Sequence, residues 1–139
     1  MSDQPLVRDW MTRDVITVDA KTPLPQAHTL MKQRHIRRVP VVDGDGTLVG
    51  IITRGDVREA SPSNATSLSI YEVHYLLAQL TVDAIMTKNP RTVTPDTPIK
   101  DAARIMLERK ISGLPVVEHG RLAGIITESD IFRGLIERL

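Results

Sequence analysis

GIITRGD, from Gly50 to Asp56, returns as GIITESD, from Gly124 to Asp130. Working outward, RRVPVVD at 37–43 answers SGLPVVE at 112–118, and the TV pair at 17–18 answers that at 92–93. VRDWMT at 7–12 answers VDAIMT at 82–87. The offset is 75 and falls to 74 after one residue is lost in a turn; about twenty aligned positions are identical. A duplicated unit that cannot bury its apolar face alone is expected to bury it against its copy. A cleft between related halves is therefore the expected place for a ligand.

Each copy reads in the same order. A short extended piece, Val15–Val18 or Arg91–Thr94, follows the MT pair. Thr22-Pro23 and Thr97-Pro98 then predict a helix with a threonine N-cap and proline in the first turn. Ile99, Ala102, Ala103, Met106 and Lys110 give the helical spacing in one copy, and Leu24, Ala27, Leu30 and Met31 in the other. Strands are expected at Val39–Val42 and Leu114–Val117. The turns at 43–46 and 119–120 then lead into strands at Leu48–Ile52 and Leu122–Ile126. A helix beginning near Asp56 or Asp130 closes each unit, giving β-α-β-β-α. Between the copies, residues 61–67 read as a loop and Ser69-Ile70-Tyr71-Glu72 as a capping box. That helix carries Ile70, Val73, Leu76, Leu77 and Leu80. Its stripe, like Ile131, Leu135, Ile136 and Leu139 of the last helix, suits packing inside the pair or against a second subunit. The expected organisation is a first module over 1–80 (repeat core 7–60, linker 61–80) and a second over 81–139.

Composition narrows the function. With 139 residues, 41% hydrophobic and 25% charged, the chain supports one ordinary core of mostly aliphatic residues, since aromatics are only 3%. A net charge of +1 without long like-charge blocks gives no general nucleic-acid or membrane surface. The absence of cysteine excludes disulfides, thiolate metal sites and cysteine nucleophiles. The start of the chain lacks a signal-peptide pattern, and no apolar stretch reaches about 18 residues, so the expected location is cytoplasmic. His28, His35, His74 and His119 show no metal spacing, and neither G-x-S-x-G nor a Walker A loop occurs. Asp43 and Asp45 lack the later ligands of a calcium loop. Asp56 and Asp130 are equivalent by repeat, so nothing drives their pKa values apart as acid–base catalysis needs. The chain is expected to be neither an enzyme nor a metal protein, with no catalytic cofactor.

The M-T pair, the later T-V, the apolar-Pro-Val-Val run and the closing G-I-I-T-x-x-D, all present twice in order, resemble the CBS domain, which occurs as tandem pairs called Bateman modules. The resemblance runs from Val7 to the last helix. It implies an α/β (α+β) fold of two β-α-β-β-α modules packed as a pseudo-twofold pair, of the small stand-alone kind. It implies binding of AMP, ADP, ATP or S-adenosylmethionine in two equivalent clefts, association into homodimers, and regulation of a partner protein.

The resemblance also assigns residues. Asp56 and Asp130 would bind ribose hydroxyls, with Thr53 and Thr127 beside them; a carboxylate suits two vicinal hydroxyls. T-x-x-D is equally a capping box, and both readings stand at this point. The backbone at Ile16, Thr17, Arg91 and Thr92 would meet the adenine edge. Ile36, Val39 and Pro40, with Ile111, Leu114 and Pro115, would wall the ring or simply be core. For phosphate, the first copy offers His35, Arg37 and Arg38, next to Arg34; Arg54, Arg58 and Arg133 lie near the closing motifs. The second copy has Ser112-Gly113 where the first has Arg37-Arg38. Unequal sites are expected, the arginine-served one preferring more phosphates. The leading expectation is thus a non-catalytic sensor of an adenosine-containing metabolite. The alternative is a structural or dimerisation module with vestigial clefts; a nucleic-acid regulator rests only on the Arg34–Arg38 patch and is disfavoured.

Overall fold

The computed structural model describes residues 4–61 and 67–139. Along the chain the first elements are α1 (Val7–Trp10), β1 (Val18–Asp19), α2 (Leu24–Arg34), β2 (Arg38–Val42), β3 (Leu48–Thr53) and α3 (Arg54–Ala60). There follow α4 (Ile70–Ala78), α5 (Val82–Ile85), β4 (Thr87–Lys88), α6 (Ile99–Arg109), β5 (Gly113–Glu118), β6 (Arg121–Thr127) and α7 (Glu128–Arg138). They gather into two compact units. The first-repeat unit is Ile16–Pro90, and the second-repeat unit joins the chain up to Val15 to Arg91–Leu139.

In the first-repeat unit the strand order is β1-β2-β3-β4. The β2–β3 hairpin is antiparallel, with Arg38 opposite Thr53 and Val39 opposite Ile52. β1 runs parallel to β2, Val18 beside Val41, and β4 runs antiparallel to β3, Thr87 beside Ile51. Because side chains alternate along a strand, Val39 and Val41 enter the core together. There they meet Leu24, Ala27 and Met31, which share one face of α2. The second-repeat unit repeats the plan. The β5–β6 hairpin is flanked by a parallel bridge from Val93 to Val116 and an antiparallel bridge from Thr12 to Ile125. Its core holds Val7, Val93, Ile99, Ala102, Met106, Leu114, Val116 and Ile126. The extended pieces expected at 15–18 and 91–94 are thus reduced to Val18–Asp19 and the Val93 bridge.

Helix ends depart from expectation at both copies in the same way. The N-cap residues of α2 and α6 are Pro23 and Pro98, not the threonines before them. Thr22 and Thr97 turn back instead, accepting from the N–H of Asp19 at 3.1 Å and of Thr94 at 3.0 Å. They close the preceding turn, and proline sets the entry dihedral unaided. Lys110, expected inside α6, is its left-handed C-cap at φ 56°, as His35 is for α2 at φ 55°.

The repeats exchange their opening segments. Val7 N–H donates to Thr97 O (2.8 Å) and Val82 N–H to Thr22 O (2.9 Å), so each short opening helix packs in the unit built from the other repeat. The charges agree. Arg8 pairs with Asp96, and Lys21 pairs with Asp83 at 2.8 Å. Left with their own repeats, these segments would set Arg8 against Lys21 and Asp83 against Asp96. The sequence boundary expected at 80/81 therefore separates the repeats, while the compact units divide the chain elsewhere.

α4 starts in the expected capping box, with Ser69 Oγ accepting from Glu72 N–H at 3.2 Å. Leu77 and Leu80 pack on the first-repeat core, whereas Ile70, Tyr71 and Tyr75 are exposed. On α7, Ile131 is buried, and Phe132, Ile136 and Leu139 are exposed. The greater part of the loop expected at 61–67, residues 62–66, lies outside the described residues.

Candidate functional site

Both T-x-x-D motifs are built as capping boxes. In the first-repeat unit Asp56 N–H donates to Thr53 Oγ1 at 3.0 Å, and Thr53 N–H donates to Asp56 Oδ2 at 2.9 Å. In the second, Asp130 N–H donates to Thr127 Oγ1 at 3.2 Å, and Thr127 N–H donates to Asp130 Oδ2 at 3.0 Å. Each cap satisfies two N–H groups that a helix start otherwise leaves open, worth about 1 kcal/mol. Capping uses Oδ2 and leaves Oδ1 for another donor, so capping does not exclude ligand binding.

Topology brings the expected groups to one end of each sheet. Since β1 is parallel to β2, the lead-in Ile16–Thr17 lies at the Arg38 end of β2, and Arg38 faces Thr53 across the hairpin. Arg37 O accepts from Arg54 N–H at 2.9 Å, so the Arg37-Arg38 pair adjoins the start of α3 and shares a unit with Asp56. The same construction sets Arg91–Thr92 at the Gly113 end of β5, opposite Thr127, with Glu128 N–H donating to Ser112 O at 3.0 Å. The basic patch of one unit is thus replaced by Ser112-Gly113 in the other.

Several expected contacts are placed elsewhere. Val39 and Leu114 are 0% exposed inside the two cores, and Pro40 and Pro115 are also fully buried. These four support the sheet and offer no surface to a base. Ile36 and Ile111 are half-buried against the same cores and keep a free edge. Arg54 turns away to α2, where Nη2 donates to Met31 O at 3.4 Å. Its buried Nε has no partner among the described residues. Beside it, His28 is held below the ordinary histidine range by burial first, then by the charges of Lys32 and Arg54. Arg133 Nη1 pairs with Asp130 Oδ1 at 3.1 Å rather than standing free for phosphate. His35, Arg37 and Arg58 are exposed.

One contact at Asp130 was not anticipated. Thr12 donates from its hydroxyl to Asp130 Oδ1 at 3.1 Å, a contact that crosses most of the sequence. The signal was the M-T pair itself, repeated at Thr12 and Thr87. Elsewhere in the second-repeat unit a groove of about 400 Å³ is lined by Trp10, Ile99, Ala103, Ile131 and Leu135. It holds none of the expected binding residues. Asp43 is occupied by its own turn, accepting from the N–H groups of Asp45 at 2.9 Å and Thr47 at 3.0 Å. No cluster suited to a metal ion occurs among the described residues.

Residues 7–63 and 82–137 each match the CBS domain family. The chain is a tandem CBS-domain protein. It is 36% identical over 141 residues to a CBS domain-containing protein from Dictyostelium discoideum, covering 96% of this chain and 93% of that protein. Among solved structures, CBSX2 of Arabidopsis thaliana in complex with AMP superposes with TM-score 0.81 at 29% identity, over 96% of this chain and 98% of that one. The CBS domain pair of protein MJ0100, in complex with 5′-methylthioadenosine and S-adenosyl-L-methionine, does so with TM-score 0.78 at 31% identity, over 98% and 99%. Other curated relatives are much longer, the chain spanning 23% of several of them. As a CBS pair the chain belongs with non-catalytic regulatory modules. No described helix is long and apolar enough to cross a membrane.

Proposed function

We propose that this CBS pair is a sensor that binds an adenosine-containing ligand and passes the binding on to a partner protein. The observation that carries the reading is the convergence at one sheet end of the Ile16–Thr17 lead-in, Ile36, Arg37, Arg38, Thr53 and Asp56. Backbone groups there suit a base edge, the carboxylate suits ribose hydroxyls, and the arginines suit phosphate. The complexes of CBSX2 with AMP and of MJ0100 with two adenosine compounds support the same ligand class. AMP, ADP or ATP fits the Arg37-Arg38 side better than the cationic S-adenosylmethionine, because two guanidinium groups favour anionic oxygens. Ligand binding shifts the protein only through its different affinity for two arrangements, which the partner then reads.

Calorimetric titration of nucleotide-stripped protein with AMP, ADP, ATP, S-adenosylmethionine and GTP tests this. The expected result is micromolar or tighter binding of an adenosine compound, no binding of GTP, and loss of di- and triphosphate preference in R37A/R38A. Absence of binding across the panel by folded protein would favour a second reading, a dimerisation module. That reading rests on the exposed apolar side chains of α4 and α7, with Tyr71 82% and Ile136 71% accessible. Both roles are compatible, and sedimentation of the purified chain measures the dimer directly.

A further inference from the structure

Asp130 is only 5% exposed, and its carboxylate is fully subscribed. An ionised carboxylate has about four lone-pair directions. Oδ1 accepts from the Thr12 hydroxyl and from Arg133 Nη1, each at 3.1 Å. Oδ2 accepts from Thr127 N–H at 3.0 Å and from the Thr127 hydroxyl at 3.1 Å. Asp56 is different. Among the described residues its carboxylate has one donor, Thr53 N–H at 2.9 Å. The repeat places Glu59 where Arg133 stands, so one turn beyond Asp56 the sequence adds negative charge instead of neutralising it. Thr87, the counterpart of Thr12, makes no bond to Asp56 among the described residues.

We infer that the two equivalent aspartates have divided their roles: Asp130 is an internal tie that fastens the opening segment to α7 through Thr12, and Asp56 alone receives ribose. The chain therefore takes one adenosine ligand, held by the first-repeat unit. A ribose reaching Asp130 would have to evict Thr12 or Arg133 from a nearly closed carboxylate, losing a charge-assisted bond as it gains one. At Asp56, vicinal hydroxyls reaching Oδ1 evict no donor among the described residues. This rests on the adenosine-binding reading above.

The test is calorimetric titration with AMP, plus thermal melts, on the wild type, D56N, D130N and T12V. The expected stoichiometry is one AMP per chain. D56N weakens binding by about tenfold or more. D130N and T12V keep the affinity within about twofold, while D130N melts about 5 °C lower. T12V serves if D130N does not fold. Two AMP per chain in the wild type, or a tenfold loss in T12V, overturns the division of roles. Failure of the wild type to bind any adenosine compound overturns the broader reading instead.

Discussion

The two units share one backbone plan and fill it by opposite choices. Where the opening helix meets the closing helix, the second-repeat unit sets the indole of Trp10 on Gly134, and any Cβ there would lie inside the ring's contact distance. The aligned positions in the first-repeat unit are Ile85 and Ala60, a smaller residue facing a larger one. The carboxylates diverge likewise, Asp130 tied by Thr12 and Arg133, and Asp56 holding among the described residues only its cap bond, with Glu59 three residues on. Volume is traded across the helix contact, a smaller side chain on one helix accompanying a larger one on the other, whereas charge is not: Asp130 and Arg133 balance, and Asp56 and Glu59 add. A duplicated fold tolerates this because close packing constrains the pair rather than either partner.

The sharpest break in the comparison is Gly134→Ala. The methyl group has no room beside Trp10, and a stability loss of about 1–3 kcal/mol is expected in denaturant unfolding. The mirror change, Ala60→Gly, should cost only about 0.5–1 kcal/mol through backbone entropy. Trp10→Ile in the G134A background should recover part of the loss. Next come the aspartates. Asp130→Asn should cost about 2 kcal/mol, since it weakens bonds to three residues, and Asp56→Asn about 1 kcal/mol as a lost cap. Equal losses would mean the two carboxylates do the same structural job.

A smaller effect separates His28 from its counterpart Ala103. The folded pKa of His28 is lowered, so near pH 6.5 the unfolded chain binds more protons than the folded one. Stability should fall as pH drops through about 6.5 toward the lowered folded value, and be level above that window. His28→Ala should flatten melting temperature against pH there; an unchanged slope would assign the dependence to another group. The smallest effect concerns the exchanged ion pairs, which are exposed and screened. Asp83 is held below the ordinary carboxylate range first by its hydrogen bond from Lys21, then by that from Thr81. Reversing both opening charges, R8D with D83R, sets like against like. Added salt should then raise the melting temperature of the variant and lower that of the wild type.

The repeat made the β-α-β-β-α plan legible because the G-I-I-T-x-x-D run and the Pro-Val-Val run carry strand alternation and a helix cap in few residues. The hairpin, both long helices and both capping boxes follow from such local signals. Helix entry was misplaced by one residue because Thr-Pro is ambiguous: the threonine hydroxyl serves either the coming helix or the turn behind it, and at Thr22 and Thr97 the turn won. The fates of Arg54 and Arg133 depend on which neighbour lies within reach, Met31 O for one and Asp130 for the other. A one-dimensional pattern does not rank those partners. The burial of Val39, Pro40, Leu114 and Pro115 was open in the sequence for the same reason, since core and cleft wall call for the same apolar residues.

The exchange of opening segments also imposes an order in time. The first-repeat unit is one unbroken stretch, Ile16–Pro90, and has all its parts as soon as that stretch has left the ribosome. The second-repeat unit is split around it, with Val7 and Trp10 made first and Leu114 and Ile126 made last. Its earlier segment therefore waits, apolar side chains unsheltered, until Leu114 and Ile126 have been synthesised. By then the finished first unit has shortened the loop that must close, and the entropy cost of closure with it. The unit made in two instalments is thus completed after the unit made in one.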